Sequence, residues 1–315
     1  MKNDLLKIRK SIISKKNYKL VKIFDSVEKT SGEKDVSLCK TVEGKLVILR
    51  VGEIHPKTFF PDGYVGKNLV IPKLYESNDK NIIYEIEEAL SGKMICDVDM
   101  KNHLTGKIDE KILRKLFAAF WEFQIIARNV KLKQKGNKNN LFEHLKLAEP
   151  LLQSSARIKK IINDNNDFWK DLYPSKWKFA TDNLLILPNN KIGFIDNVNV
   201  GLRYFAYDLG WLIWPRWVEM KTVKFDQVDE QLIYLKKFLS LVKKTKPKQI
   251  KISNLEKKFW LMIMHRLIGA IADVARNVRH LADWNMGDGG SKKRTEKHLK
   301  FLNALLEEVI KKVIK

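Results

Sequence analysis

The hydrophobic rhythm of the chain changes near Gly92. Before that point, short apolar-rich runs, YKLVKIFDSV, VSLCKTV and LVILRVG, are separated by the Gly-containing EKTSGEKD and by EGK. Runs of this kind bounded by turn signals predict three strands over residues 18–53. LVIPKLYES and NIIYEIEEAL, joined across NDK, add further strands. The charged amphipathic MKNDLLKIRKSIISKKN ahead of them predicts an N-terminal helix.

Beyond Gly92 the period becomes that of a helix. Residues 109–128 place Ile112, Leu113, Leu116, Phe117, Phe120 and Phe123 on one apolar face. A second helix is expected to start at Ser253, with Glu256 at capping-box spacing, and to run to NMGDGG at 285–290. The last segment keeps Leu302, Leu305, Leu306, Val309, Ile310 and Val313 on one stripe. The reading is therefore α+β, with an N-terminal β-rich lobe over 1–92 and a helical lobe over 93–315.

One stretch of the helical part departs from its rhythm. In NLLILPNNKIGFID, residues 183–196, two apolar runs flank Pro188, Asn189 and Asn190, and Asn tolerates the positive φ that a tight hairpin needs. Facing residue 188 with 191 puts Asn183 opposite Asp196 at the open end. An amide oxygen and a carboxylate placed there suit Mg²⁺, a hard cation that takes oxygen ligands and fills its shell with water and phosphate. Asn and Asp at strand ends also serve simply as turn formers.

A β-rich lobe, a linker, a helix and then this hairpin together resemble the protein-kinase-like fold, and more narrowly the aminoglycoside and choline phosphotransferase family. That family's H-G-D-x-x-x-x-N, strand, turn and I-D-F pattern falls in register with NLLIL and GFID. Its G-x-x-x-x-A-Y-D-L-A segment matches Gly201, Ala206, Tyr207, Asp208 and Leu209. EEALSG is similar to the family's linker. The resemblance implies a bilobal fold with a small antiparallel sheet, ATP and Mg²⁺ as cofactors, and Asn183 and Asp196 as metal ligands. It further implies Arg50 on phosphate, Glu88, Ala89 and Leu90 beside the adenine, Gly92 at the lobe junction, and a structural role for Asp208. Read without the family, Asp208 ahead of LGWLIW is a helix N-cap.

The departures from the family are specific. Five positions before Asn183, where the family has its catalytic Asp, stands Lys178; the histidine position is Lys176. A lysine cannot serve as the carboxylate that accepts a hydroxyl proton, and Asp182 is the nearby acid left for that task. TSGEKD carries one glycine where phosphate-covering loops use several. Arg50 replaces the phosphate-pairing lysine, keeping its charge with a different geometry. Pro56, Pro61, Gly63 and Gly66 argue against a regular helix after Arg50, where Glu53 is the available glutamate.

Composition adds charge and compartment. Lys and Arg outnumber Asp and Glu by 60 to 37 in 315 residues, a formal charge of +23, which attracts anions of any kind. The basic runs lack the aromatic interleaving of a single-strand binding groove, and solvated faces account for them. Two cysteines and no apolar run of membrane-spanning length predict a cytoplasmic protein. His265 and His280 lack metal-site spacing; Trp211, Trp214 and Trp217 read as packing; Arg266, Arg276, Arg279 and SKKR are candidates for an anionic acceptor site. Three functions remain open: an ATP-dependent phosphotransferase acting on a small-molecule hydroxyl, a nucleotide-binding pseudokinase that has lost transfer, and a basic polyanion- or nucleic-acid-binding protein.

Overall fold

The computed structural model describes residues 2–25, 34–52, 63–78, 83–98, 108–130, 132, 138–197, 200–214, 217, 227–276 and 292–314. Helix α1 (Lys2–Lys15) leads into strands β1 (Lys19–Asp25), β2 (Asp35–Lys40), β3 (Leu46–Val51), β4 (Leu69–Val70), β5 (Leu74–Asn78) and β6 (Tyr84–Glu88). Five of these form an antiparallel sheet in the order β1-β2-β3-β6-β5. Ile12 of α1 packs on Cys39, Val47, Leu49, Val51 and Ile86, and a buried Arg9–Asp35 ion pair at 2.7 Å fixes α1 to the sheet.

The helical part follows β7 (Lys93–Met94) and α2 (Ile95–Val98). It comprises α3 (Glu110–Ile126), α4 (Lys138–Ala148), α5 (Ser155–Asp164), α6 (Asn166–Lys170), α7 (Leu209–Ile213), α8 (Val228–Thr245), α9 (Leu255–Arg276) and α10 (Lys292–Ile314). Asp109 caps α3, its carboxylate accepting from the amides of Lys111 and Ile112, and the face predicted for that helix enters the main core. All six residues of the predicted C-terminal stripe are buried. Among the described residues no helix is long and apolar enough to cross a membrane.

The hairpin forms as predicted, from β9 (Leu184–Ile186) and β10 (Ile192–Phe194). It joins elements on both sides of the chain's midpoint, in a sheet ordered β4-β10-β9-β7 with β4 parallel to β10. Gly92 permits that junction: a Cβ there would lie 2.9 Å from the Ile186 carbonyl oxygen.

Three expectations need correction. The hairpin turn is one residue longer than predicted, because Leu187 rather than Pro188 pairs with Lys191; Ile192 faces Ile186, and Phe194 faces Leu184. The helical part contains a second strand pair, β8 (Leu172–Ser175) with β11 (Gly201–Tyr204), in which Pro174 faces Leu202. These partners are distant in sequence and share no turn, so local pattern carries no trace of them. Helix α9 begins after Asn254, whose carbonyl accepts from the Lys258 amide, rather than at Ser253. The end predicted for that helix, with His280 and Arg279, lies outside the described residues.

A polar chain crosses the main core. The Tyr204 hydroxyl and His265 Nδ1 are 2.6 Å apart, and His265 Nε2 lies 3.3 Å from His144 Nδ1. Burial holds His265 well below the usual histidine range, and the charges of His144 and Arg266 add to the effect. His265 is therefore neutral in the fold and chargeable when unfolded, so protons favour the unfolded chain below its unfolded value of 6.5. We expect stability in urea to decline as pH falls below about 6.5, and His265→Gln, which cannot titrate, to flatten that decline.

Candidate active site

The site assembles where β3, the loop after β8 and the loop after β10 meet. Arg50 is buried on β3 and divides its guanidinium among three carboxylates. Nε donates to Glu85 at 3.1 Å, one terminal nitrogen to Glu87 at 3.5 Å, and the other to Asp196 Oδ1 at 3.2 Å. Glu85 and Glu87 alternate along β6 and so share a face; Glu85 stands directly opposite Arg50 in the ladder. The partner glutamates thus come from the sheet itself. Glu53 and most of the segment after Arg50 lie outside the described residues, as do residues 26–33 of the turn that contains TSGEKD.

Asp196 follows β10 with φ at 56°, a left-handed turn that ends the strand. Lys34 approaches the same carboxylate oxygen at 4.0 Å. Burial pushes the Asp196 carboxyl up, but Arg50, Lys34, Lys176 and Lys178 together hold it below the usual carboxylate range.

Between Ser175 and Lys178 the chain is held against its own preference. Trp177 and Lys178 both have positive φ, 65° and 41°, a conformation costing non-glycine residues of order 1–3 kcal/mol each. Asp208 holds them there. Its buried carboxylate accepts from the Ser175 hydroxyl at 2.7 Å, the Lys176 amide at 2.8 Å and the Trp177 amide at 3.0 Å. It makes no side-chain cap bond to α7, so its structural role is a loop clamp rather than an N-cap. Burial raises the Asp208 carboxyl, partly offset by these donors and by the charges of Arg203 and Lys176.

Lys176 is fully buried, and its ammonium lies 3.5 Å from the Asp196 carbonyl oxygen and over the Phe194 ring. Burial pushes it down to about 8, against the pull of Asp196, Asp208, Asp182 and Glu87. Lys178 is exposed, and its carbonyl accepts from Asn183 Nδ2 at 3.4 Å. Asn183 and Asp196 therefore flank one loop. In the observed register Asn183 lies opposite Ile195, whose amide donates to the Asn183 carbonyl at 3.3 Å, and the turn at Asp196 re-aims the acid. Asp182 is exposed beside them.

Glu88, Ala89 and Leu90 continue β6 at the edge of this cleft. Glu88 exchanges bonds with Lys73 through backbone and side chain, and the Ala89 amide donates to Leu46 at 3.3 Å. Leu90 packs with Met94 and Ile195 on Val70, Leu185 and Leu187. Gly193 makes room for it: a Cβ there would meet Leu90 Cδ1 at 3.0 Å. The result is an apolar platform spanning linker and hairpin.

Behind the loop, Trp177 stacks on Tyr207 at 5.5 Å, with the Arg203 guanidinium over Trp177 at 4.3 Å and that of Arg266 over Tyr207 and Trp211 at 4.3 and 4.5 Å. Arg266 thus packs in the core, and its guanidinium donates to the Tyr207 carbonyl at 2.8 Å. Trp217 is buried, while Trp211 and Trp214 pack at the core's edge. The sequence reading missed Ser175, Trp177 and Arg203, and saw Lys176 only as a missing histidine. Arg279 and the side chains of Arg276 and SKKR are outside the described residues.

No family model matches the chain, and no curated protein does. Solved structures do. An amicoumacin kinase in complex with AMP-PNP, Ca²⁺ and Ami is 12% identical over 92% of this chain and 88% of its own, with a TM-score of 0.56. An aminoglycoside phosphotransferase from Alicyclobacillus acidocaldarius is 12% identical over 92% of both chains, with a TM-score of 0.53. The ADP-bound aminoglycoside phosphotransferase APH(2'')-Ib is 12% identical over 95% and 98%, with a TM-score of 0.51. The chain has the kinase-like fold of these phosphotransferases.

Three substitutions test the site's framework. Arg50→Met should destabilise the fold by about 3–5 kcal/mol, because it strips a buried counter-ion from clustered carboxylates. Arg50→Lys should recover little of this, since one ammonium cannot span three partners. Asp208→Ala, which leaves two buried amides and a hydroxyl without their acceptor, should cost about 3 kcal/mol. Urea denaturation measures all three.

Proposed function

We propose that the cleft binds a nucleoside triphosphate and that this chain transfers its phosphoryl group slowly or not at all. The observation that carries the reading is the contrast within one loop system. Asn183 and Asp196 keep the positions that the resemblance gives to the phosphate side, with Arg50 bonded to Asp196 and to Glu85 and Glu87 instead of facing a phosphate, while Lys178 stands where a carboxylate base belongs. Leu90 and the hairpin platform offer the apolar surface that a planar base needs, with Glu88 and Ala89 beside it. The fold's neighbours include proteins solved with AMP-PNP and with ADP, which supports nucleotide as the ligand class. Without a carboxylate at position 178, nothing in the aligned position can take up a hydroxyl proton as the acceptor attacks.

Asn183 and Asp196 are the oxygen pair this reading assigns to Mg²⁺. The donor atoms suit a hard cation. The field around them does not, because Asp196 already faces Arg50, Lys34 and buried Lys176.

A second reading keeps transfer to a small-molecule hydroxyl, with exposed Asp182 as the base. It is favoured by the position of Asp182, whose charge reaches Lys176 in the centre of the site. The polyanion reading has only net charge behind it.

Thermal unfolding with ATP and turnover assays separate these readings. ATP should raise the melting temperature, since a ligand of the native state stabilises it by mass action. Hydrolysis and transfer should be near background, and Lys178→Asp should raise them. Brisk wild-type turnover abolished by Asp182→Asn would establish the second reading; no thermal response to any nucleotide would remove both.

A further inference from the structure

We infer that this cleft holds the triphosphate through its own lysines and prefers the metal-free nucleotide to its magnesium complex. The inference rests on the nucleotide reading above and concerns what neutralises the phosphates. Four cationic side chains act on Asp196. Arg50 lies 3.2 Å and Lys34 4.0 Å from its Oδ1; the Lys176 ammonium lies 3.5 Å from its carbonyl; exposed Lys178 acts on its carboxyl from the strained loop.

A divalent ion coordinated by Asp196 enters this group against like charge, and the carboxylate that would attract it is already compensated. Lys176 sharpens the point, because its ammonium is fully buried and cannot swing into solvent to make room. A free triphosphate meets the opposite situation. It carries more negative charge than its magnesium complex, so the ammoniums of part-exposed Lys34 and exposed Lys178, within a chain of formal charge +23, draw it more strongly.

Lys34 and Lys178 are the residues placed to meet it. The Lys34 side chain is 28% exposed just before β2, and Lys178 is exposed at the loop between Trp177 and Phe179. Arg50 is spent differently, its nitrogens being divided among Glu85, Glu87 and Asp196.

Isothermal titration with ATP, in EDTA and in MgCl₂ at matched ionic strength, tests this. Wild-type protein should bind one ATP in EDTA at least as tightly as in magnesium. Lys178→Asp should weaken the EDTA arm by about tenfold or more and turn the preference toward magnesium, since it replaces attraction by repulsion of the same phosphates. The substitution is suited to the site, as Asp is among the residues that tolerate left-handed φ. Lys34→Ala should weaken the EDTA arm several-fold. Binding that requires magnesium overturns the inference and leaves the nucleotide reading intact. Binding in EDTA that neither variant changes places ATP elsewhere on the basic surface and overturns it as well. No binding in either buffer removes the nucleotide reading and this inference together.

Discussion

The site depends on one buried guanidinium that must satisfy carboxylates from separate parts of the chain. Arg50 is on β3, Glu85 and Glu87 are on β6, and Asp196 follows a hairpin built far later in sequence. Pairing within the sheet alone would leave Asp196 to Lys34, Lys176 and Lys178. Bonding across to it fixes where the hairpin's loop sits relative to the sheet, so the same charge that stabilises the sheet also sets the cleft. Arginine suits this because its donors are spread over a rigid plane, which a lysine's single ammonium cannot imitate.

Strain is the second constraint. Trp177, Lys178, Asp196 and Ala206 all adopt positive φ without being glycine. Residues held this way persist only where their surroundings over-determine them. Asp208 supplies that for the first two by gathering successive amides and a hydroxyl onto one carboxylate, and the stacked layer of Trp177, Tyr207, Arg203 and Arg266 seals the loop from behind. The loop that presents Lys178 is thus held in a single strained shape by its surroundings.

The sequence revealed features that are local or periodic. Apolar runs between turns located the strands of the first sheet, and the 3.6 rhythm located α3 and α10. The Asn-Asn turn located the hairpin but left its register one residue off, because Pro188 and Lys191 read as well as a closing pair as Leu187 and Lys191 do. The β8–β11 pair was invisible because its partners meet only through the tertiary fold. Arg50 and Asp196 were each identified without any sign that they touch. The burial of Lys176 was equally hidden, since an ammonium reads as a surface group until its neighbours are known.

That buried lysine links the fold to the chemistry. Holding an ammonium away from water is costly unless compensating charge lies close, and here Asp196, Asp208, Asp182 and Glu87 provide it. Two of those, Asp196 and Glu87, also hold Arg50, and Asp208 also holds the strained loop. The carboxylates of the cleft are therefore already committed to cations of the chain itself. A kinase site ordinarily leaves such carboxylates for a metal and a proton. In this chain the same carboxylates keep β3, the loop after β8 and the loop after β10 in register.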